Sequence, residues 1–124
     1  MVERDLEILL TTFGSYSSVM MHIWDGAGDV RDVQGKEVSQ GLYQFCVSMQ
    51  TEDLRDVSFK FWYPGKEDQW EREDFKRSLP EKNATRVWTA EYSPRCLIQD
   101  PRKAMPLAEG STVPNRPPAW LPCR

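Results

Sequence analysis

The chain has 124 residues and a mass of 14.4 kDa, which suits one domain and leaves no room for two ordinary ones. Hydrophobic residues make up 40% and charged residues 28%, values that suit a globular protein and argue against a wholly disordered chain. The net charge of −3 disfavours bulk attraction to nucleic acid, and the single histidine, His22, excludes metal sites that need two histidines.

The hydropathy pattern and the cysteines predict a soluble cytoplasmic protein. No apolar run approaches the 18 or so residues that a membrane span needs. The first residues lack the basic start and apolar centre of a secretory signal. Cys46, Cys96 and Cys123 are an odd, widely spaced set without a C-x-x-C pair, which favours reduced thiols. A Cys46–Cys96 disulfide is the alternative if the chain is secreted.

Proline divides the chain into two predicted parts. Residues 99–124 carry six of the nine prolines, and proline fixes φ and removes a backbone donor. We therefore expect residues 1–98 to form a β-rich globular domain. Residues 99–124 should be an extended tail that neither joins a sheet nor forms a helix.

The N-terminal segment, residues 2–13, has its apolar residues at helical spacing. Charged residues occupy the other side, so a short helix is predicted. A strand over Ile8 to Thr12 is the competing interpretation.

The centre of the chain predicts strands, because apolar residues alternate with polar ones over residues 43–50 and again over residues 57–63. The short charged link Thr51 to Asp56 favours a hairpin between these two strands. The buried face predicted for them consists of Tyr43, Phe45, Val47, Phe59 and Phe61.

Two further alternations, over residues 19–24 and residues 87–92, predict additional strands. The charged segment Lys66 to Leu79 is interpreted as a short surface helix. The fold class expected is mainly β: an antiparallel sandwich or partly open barrel of about five to seven strands with one or two short helices.

Trp62 is the main candidate for a binding residue. It shares a strand face with Lys60, opposite the predicted core, and tryptophan is enriched in binding hot spots. Aromatic residues interleaved with cations also suggest stacking platforms for single-stranded nucleic acid. On this basis the predicted binding residues are Trp62, Lys60, Arg86 and Trp88.

Other groups give weaker indications of chemistry. Asp25, Asp29 and Asp32 lie in one glycine-containing loop. Tight turns explain this composition more simply than calcium binding does. His22 shares a face with Met20 and Trp24, which favours a packed histidine over a catalytic one. We expect no metal and no cofactor.

Residues 41–61 resemble one known family. Gly41-Leu42-Tyr43-Gln44-Phe45-Cys46-Val47-Ser48, followed by Val57-Ser58-Phe59-Lys60-Phe61, is similar to a strand and its hairpin partner in GOLD (Golgi-dynamics) domains. The resemblance implies a non-enzymatic β-sandwich that mediates protein contacts in membrane traffic.

The sequence thus predicts a non-enzymatic macromolecular-interaction module whose partner is a protein. The alternative is a nucleic-acid-binding accessory protein. A third possibility is an enzyme that uses Cys46 or Cys96 with His22.

Overall fold

The computed structural model describes residues 3–12, 16–26, 28–71, 76–91 and 104–107. These residues form ten strands and one 3₁₀ turn, Leu54–Asp56. The strands are β1 (Glu3–Thr11), β2 (Met20–Trp24), β3 (Val30–Gln34), β4 (Lys36–Ser39), β5 (Leu42–Gln50), β6 (Ser58–Tyr63), β7 (Gln69–Trp70), β8 (Arg77–Ser78), β9 (Arg86–Ala90) and β10 (Met105–Pro106). The count exceeds the five to seven predicted, partly because β7, β8 and β10 have only two residues each.

The strands form two sheets. The first sheet has the order β10-β9-β1-β5-β4, and the second has the order β3-β2-β6-β7, with β8 also paired to β6. Neighbouring strands are antiparallel except for β1 and β9, which are parallel. The two sheets pack face to face, so the mainly β, sandwich-like fold is confirmed.

Alternate side chains of both sheets meet in one core. The rings of Phe45 on β5 and Phe61 on β6 have centroids 5.2 Å apart, which joins the first sheet to the second. Of the predicted buried face, all but Val47 are buried, and Val47 packs against the core while partly exposed. These residues come from two facing sheets rather than from one sheet face.

The predicted hairpin between β5 and β6 is wrong. The strand β5 pairs with β1 and β4, whereas β6 pairs with β2, β7 and β8. The link instead crosses between the sheets, and its 3₁₀ turn buries Leu54 completely. Val57, also fully buried, follows the turn, so apolar side chains anchor the turn in the core at its start and just after its end.

The two predicted helices are also wrong over the described residues. Residues 3–11 form the strand β1, between β5 and β9 in the first sheet. The segment from Lys66 to Leu79 contains β7 and β8, both on one edge of β6. Among the residues that the structure describes, no helix is long and apolar enough to cross a bilayer.

Part of the predicted tail joins the sandwich. Met105 and Pro106 pair with Trp88 and Val87 on β9, and the backbone N–H of Leu107 donates to the carbonyl of Arg86. The expectation that residues beyond 98 cannot extend a sheet is therefore wrong at this strand. Proline is tolerated there because β10 is an edge strand. The remaining tail, and the boundary at residue 98, lie outside the described residues.

Gly35 lies where the chain passes from β3 in the second sheet to β4 in the first. A Cβ atom at this position would lie 2.6 Å from Cζ of Phe45, closer than real Cβ contacts allow. The Gly35 backbone N–H also donates to the carbonyl of Val19. A side chain is excluded because the backbone passes directly over a core ring.

Candidate binding surface

The outer face of the second sheet carries large aromatic side chains. In β2 the buried residues Met21 and Ile23 face the core, so the alternate residues face outward. The register brings β2, β6 and β7 side by side. We define the aromatic surface as the outward side chains of His22, Trp24, Trp62 and Trp70.

The aromatic surface is built by ring contacts. The indoles of Trp62 and Trp70 are stacked, with centroids 5.1 Å apart and planes inclined by 10°. The imidazole of His22 lies 5.5 Å from the Trp24 ring and 5.4 Å from the Trp70 ring, and it meets Trp70 edge-on. The histidine therefore contacts two of the three tryptophans, and the four rings form a chain of contacts.

One carboxylate fastens two of these rings. The indole Nε1–H of Trp62 donates to Oδ1 of Asp32 over 3.0 Å, and Nδ1 of His22 lies 3.1 Å from the same oxygen. Asp32 can reach both because it is paired with His22 across β2 and β3. The polar edge of Trp62 is thus satisfied at the sheet, which holds the ring in a defined orientation.

A shallow groove of about 410 Å³ runs along the aromatic surface. It is lined by Trp24, Trp70, His22, Lys60 and Lys76. The groove therefore combines two indoles with two ammonium groups and an imidazole. Such a site can take an apolar surface against the rings while it offers hydrogen bonds at its edges.

The structure brings only two of the four predicted binding residues together. Lys60 and Trp62 lie on β6 and face outward, and Lys60 lines the groove. Arg86 and Trp88 lie on β9 in the first sheet. Trp88 is only 4% exposed, and its indole donates to Thr11 Oγ1 over 2.7 Å. Arg86 and Trp88 are therefore not part of the aromatic surface.

The outer face of the first sheet has a different character. Arg86 forms an ion pair with Glu7 over 2.5 Å, and Gln44 also donates to this carboxylate. The hydrogen bond from Arg86 is the main reason that the pKa of Glu7 lies below its ordinary value, although partial desolvation opposes it. Ser48 likewise donates to Asp5, so several polar groups of this face pair with one another, as expected of a solvated sheet face.

The geometry for cysteine catalysis is not present in the described residues. Cys46 is paired with Glu7 on the first sheet, whereas His22 lies on the outer face of the second. Partial desolvation and the nearby Glu7 carboxylate raise the pKa of the Cys46 thiol, which opposes thiolate formation. Cys46 is a free thiol, and Cys96 lies outside the described residues.

The aspartate loop forms a turn. The Asp25 carboxylate accepts a hydrogen bond from the backbone N–H of Asp29, and Gly28 adopts a φ of 93°. This left-handed conformation favours glycine. Over the ranges that the structure describes, no group of three or more His, Cys, Asp or Glu side chains is arranged to hold a metal ion.

Sequence reasoning missed Trp24 and Trp70 as members of a binding surface. Trp24 could have been found, because β2 has apolar residues on both faces and only one face can reach the core. Trp70 had no such signal, since β7 is too short to show alternation. Its exposure of 48% becomes visible only in the folded chain.

Comparison with known proteins gives no relative of this chain. No family model matches it, and neither a curated protein nor a solved structure shows significant similarity. The resemblance of residues 41–61 to Golgi-dynamics domains therefore stays a prediction, and the aromatic surface is the basis for proposing a function.

Proposed function

We propose that this chain is a non-enzymatic macromolecular-interaction module that binds its ligand on the aromatic surface. The observation that carries the proposal is the outward position of three tryptophans on one sheet, held together by ring contacts and by Asp32. Trp70 remains 48% exposed, so much of its apolar area contributes nothing to folding. That area is available to a ligand.

The ligand class that this geometry supports best is a carbohydrate chain. A sugar ring presents an apolar C–H face and a rim of hydroxyl groups. The indoles of Trp24 and Trp70 can contact such a face, while Lys60, Lys76 and His22 offer hydrogen bonds to the rim. The groove volume of about 410 Å³ lies near the lower end of ordinary ligand sites.

A protein partner, which the sequence predicts, is the second candidate. Val30 lies beside Trp24 on the same outer face and is 52% exposed, so apolar surface extends beyond the groove. Exposed tryptophans at the centre of such a surface commonly act as hot spots in protein interfaces. Nucleic acid has less support, because Arg86 and Trp88 do not belong to the surface.

Titration with soluble glycans tests the proposal. The chain is titrated by calorimetry with linear α-glucan, β-glucan, xylan and mannan oligosaccharides, and we expect one of these classes to bind. Trp70→Ala should weaken that binding at least tenfold, on the scale of a hot-spot tryptophan. The matched control is Val38→Ala, which removes an exposed apolar side chain of the first sheet and should leave affinity unchanged.

The outcomes separate the candidates. If no glycan binds but a protein captured from the native host is lost with Trp70→Ala and retained with Val38→Ala, the ligand is a protein. If Trp70→Ala affects neither glycan nor protein binding, the aromatic surface is not the binding site and the proposal fails.

A further inference from the structure

Arg77 is a fully buried arginine in the core of the sandwich. Its guanidinium carbon lies 5.0 Å from the centre of the Phe61 ring. Two of its nitrogens, Nε and Nη2, donate to the two carboxylate oxygens of Glu71 over 3.1 and 2.8 Å. The third, Nη1, donates to Thr89 Oγ1 and to the carbonyl of Ala90. The pair with Glu71 is thus bidentate, and the bonds of Nη1 connect Arg77 to β9 in the first sheet.

A pair of this kind is a poor means of stabilising a core. Removing two charges from water costs about as much as their attraction returns, and apolar residues of similar volume often serve equally well. Glu71 is 7% exposed and Arg77 is 0% exposed, so both carry this penalty. The specific consequence of such a pair is the orientation that its hydrogen bonds impose on the chain.

The element that Glu71 orients is β7. Glu71 follows Trp70 directly, and its backbone N–H donates to the carbonyl of Phe61 on β6. Its side chain returns to the same residue, since Oε1 accepts from the Phe61 backbone N–H over 2.8 Å. Because β7 has only two residues, these bonds provide much of its attachment to β6.

We infer that Glu71 and Arg77 are positioning residues that hold the Trp70 indole against Trp62 and so pre-organise the aromatic surface for its ligand. The ligand part of this inference rests on the proposed function. The positioning part does not, because it concerns the free protein. If the stacked orientation were occupied a tenth of the time, the apparent affinity would fall about tenfold.

The test measures the Trp62–Trp70 contact directly. Two stacked indoles give an exciton-coupled circular dichroism signal in the far ultraviolet, identified as the signal that Trp62→Phe abolishes. Glu71→Gln keeps the side-chain shape and one acceptor oxygen, but it places an amide NH₂ opposite the Nη2 donor of Arg77, so the bidentate pair is lost. We expect it to reduce the exciton signal by more than half and to weaken ligand binding about tenfold, while the chain stays folded.

The control is Glu7→Gln, which breaks the ion pair with Arg86 on the outer face of the first sheet. It should leave both the exciton signal and ligand affinity unchanged. If Glu71→Gln does not fold, Glu71→Asp, which keeps the charge but shortens the reach to Arg77, is measured with the same expectation.

An unchanged exciton signal in the folded Glu71 variant overturns the inference, whether or not a ligand is known. A reduced signal supports the positioning role even if no glycan or protein binds, in which case only the proposed function fails.

Discussion

Tryptophans on the two sheets are held in different ways. Trp88 lies under Leu107 and beside Leu9 and Leu42, so apolar contact covers most of its ring. Trp62 is half-buried, and its edge is fixed by Asp32 while its face stacks on Trp70. The Trp88 ring is therefore part of a buried apolar cluster, whereas the Trp62 and Trp70 rings stay accessible in a fixed orientation.

Phe59 allows a test of the prediction, made from the alternation in β6, that its side chain faces the core. Its side chain is fully buried and meets the Phe61 ring edge-on at 5.8 Å. Phe59→Ala should lower the free energy of unfolding by about 3–5 kcal/mol, because it combines lost burial with a cavity. Urea denaturation measures this change, with Val38→Ala as the exposed control. A loss below about 1 kcal/mol would contradict the assignment of Phe59 to the core.

At the scale of elements, period-two alternation locates the strands that have one buried face. It predicts β5 and β6, and it assigns Phe59 and Phe61 to the core, where both are fully buried. Alternation shows which face of a strand is buried. It does not show which strands lie beside it, because the same pattern is compatible with any neighbour. The short charged link between β5 and β6 therefore has the sequence features of a hairpin loop. In the structure it instead crosses from the first sheet to the second, with Leu54 buried in its 3₁₀ turn.

The strand β1 resembles a helix in sequence for a related reason. It is central in the first sheet, and in its second half the outward residues Leu9 and Thr11 are buried as well. Ile8 and Leu10 face the core between the two sheets. Leu9 points to the outer face of the first sheet, where it packs with Trp88. Apolar residues on both faces hide the period of two, and the resulting run matches a helical stripe equally well.

The aromatic surface is only partly predictable from the sequence, because most of its members come from different strands. The phase of β6 places Lys60 and Trp62 outward, and the structure has them on one face. Trp70 joins them through a two-residue strand, and His22 and Trp24 join them through pairing of β2 with β6. These neighbours are set by contacts distant in sequence, which no local pattern records.

The short strand β10 allows a direct test of its role in the fold. Two truncated chains are compared, one ending at residue 107 and one at residue 103. The shorter chain loses buried Ala104 and the contact of Leu107 with Trp88, so we expect its melting temperature to be several degrees lower. Thermal unfolding followed by circular dichroism gives the difference. Equal melting temperatures would mean that the β9–β10 pairing adds no stability.

At the scale of the whole molecule, the two outer faces of the sandwich differ in how the described residues cover their tryptophans. On the first face, Arg86 pairs with Glu7, and apolar side chains cover Trp88. The second face exposes the groove along Trp24 and Trp70. Among the described residues, Trp88 on the first face is therefore buried, whereas Trp70 on the second face is 48% exposed.

The charge of the whole molecule leads to the last prediction, which concerns salt. The net charge is −3, and an uncharged ligand held by stacking and hydrogen bonds releases few counterions. Affinity for the glycan that binds should therefore change less than about twofold between roughly 50 and 200 mM salt, whereas six to ten phosphate contacts would cost about 10³–10⁵ over that range. Lys60→Ala and its exposed control Lys36→Ala are titrated alongside.

If the groove lysine, Lys60, acts as a hydrogen-bond donor, Lys60→Ala weakens binding equally at both salt concentrations. A steep loss of affinity that Lys60→Ala reduces would instead show that the groove recognises a polyanion, which would favour the nucleic-acid alternative.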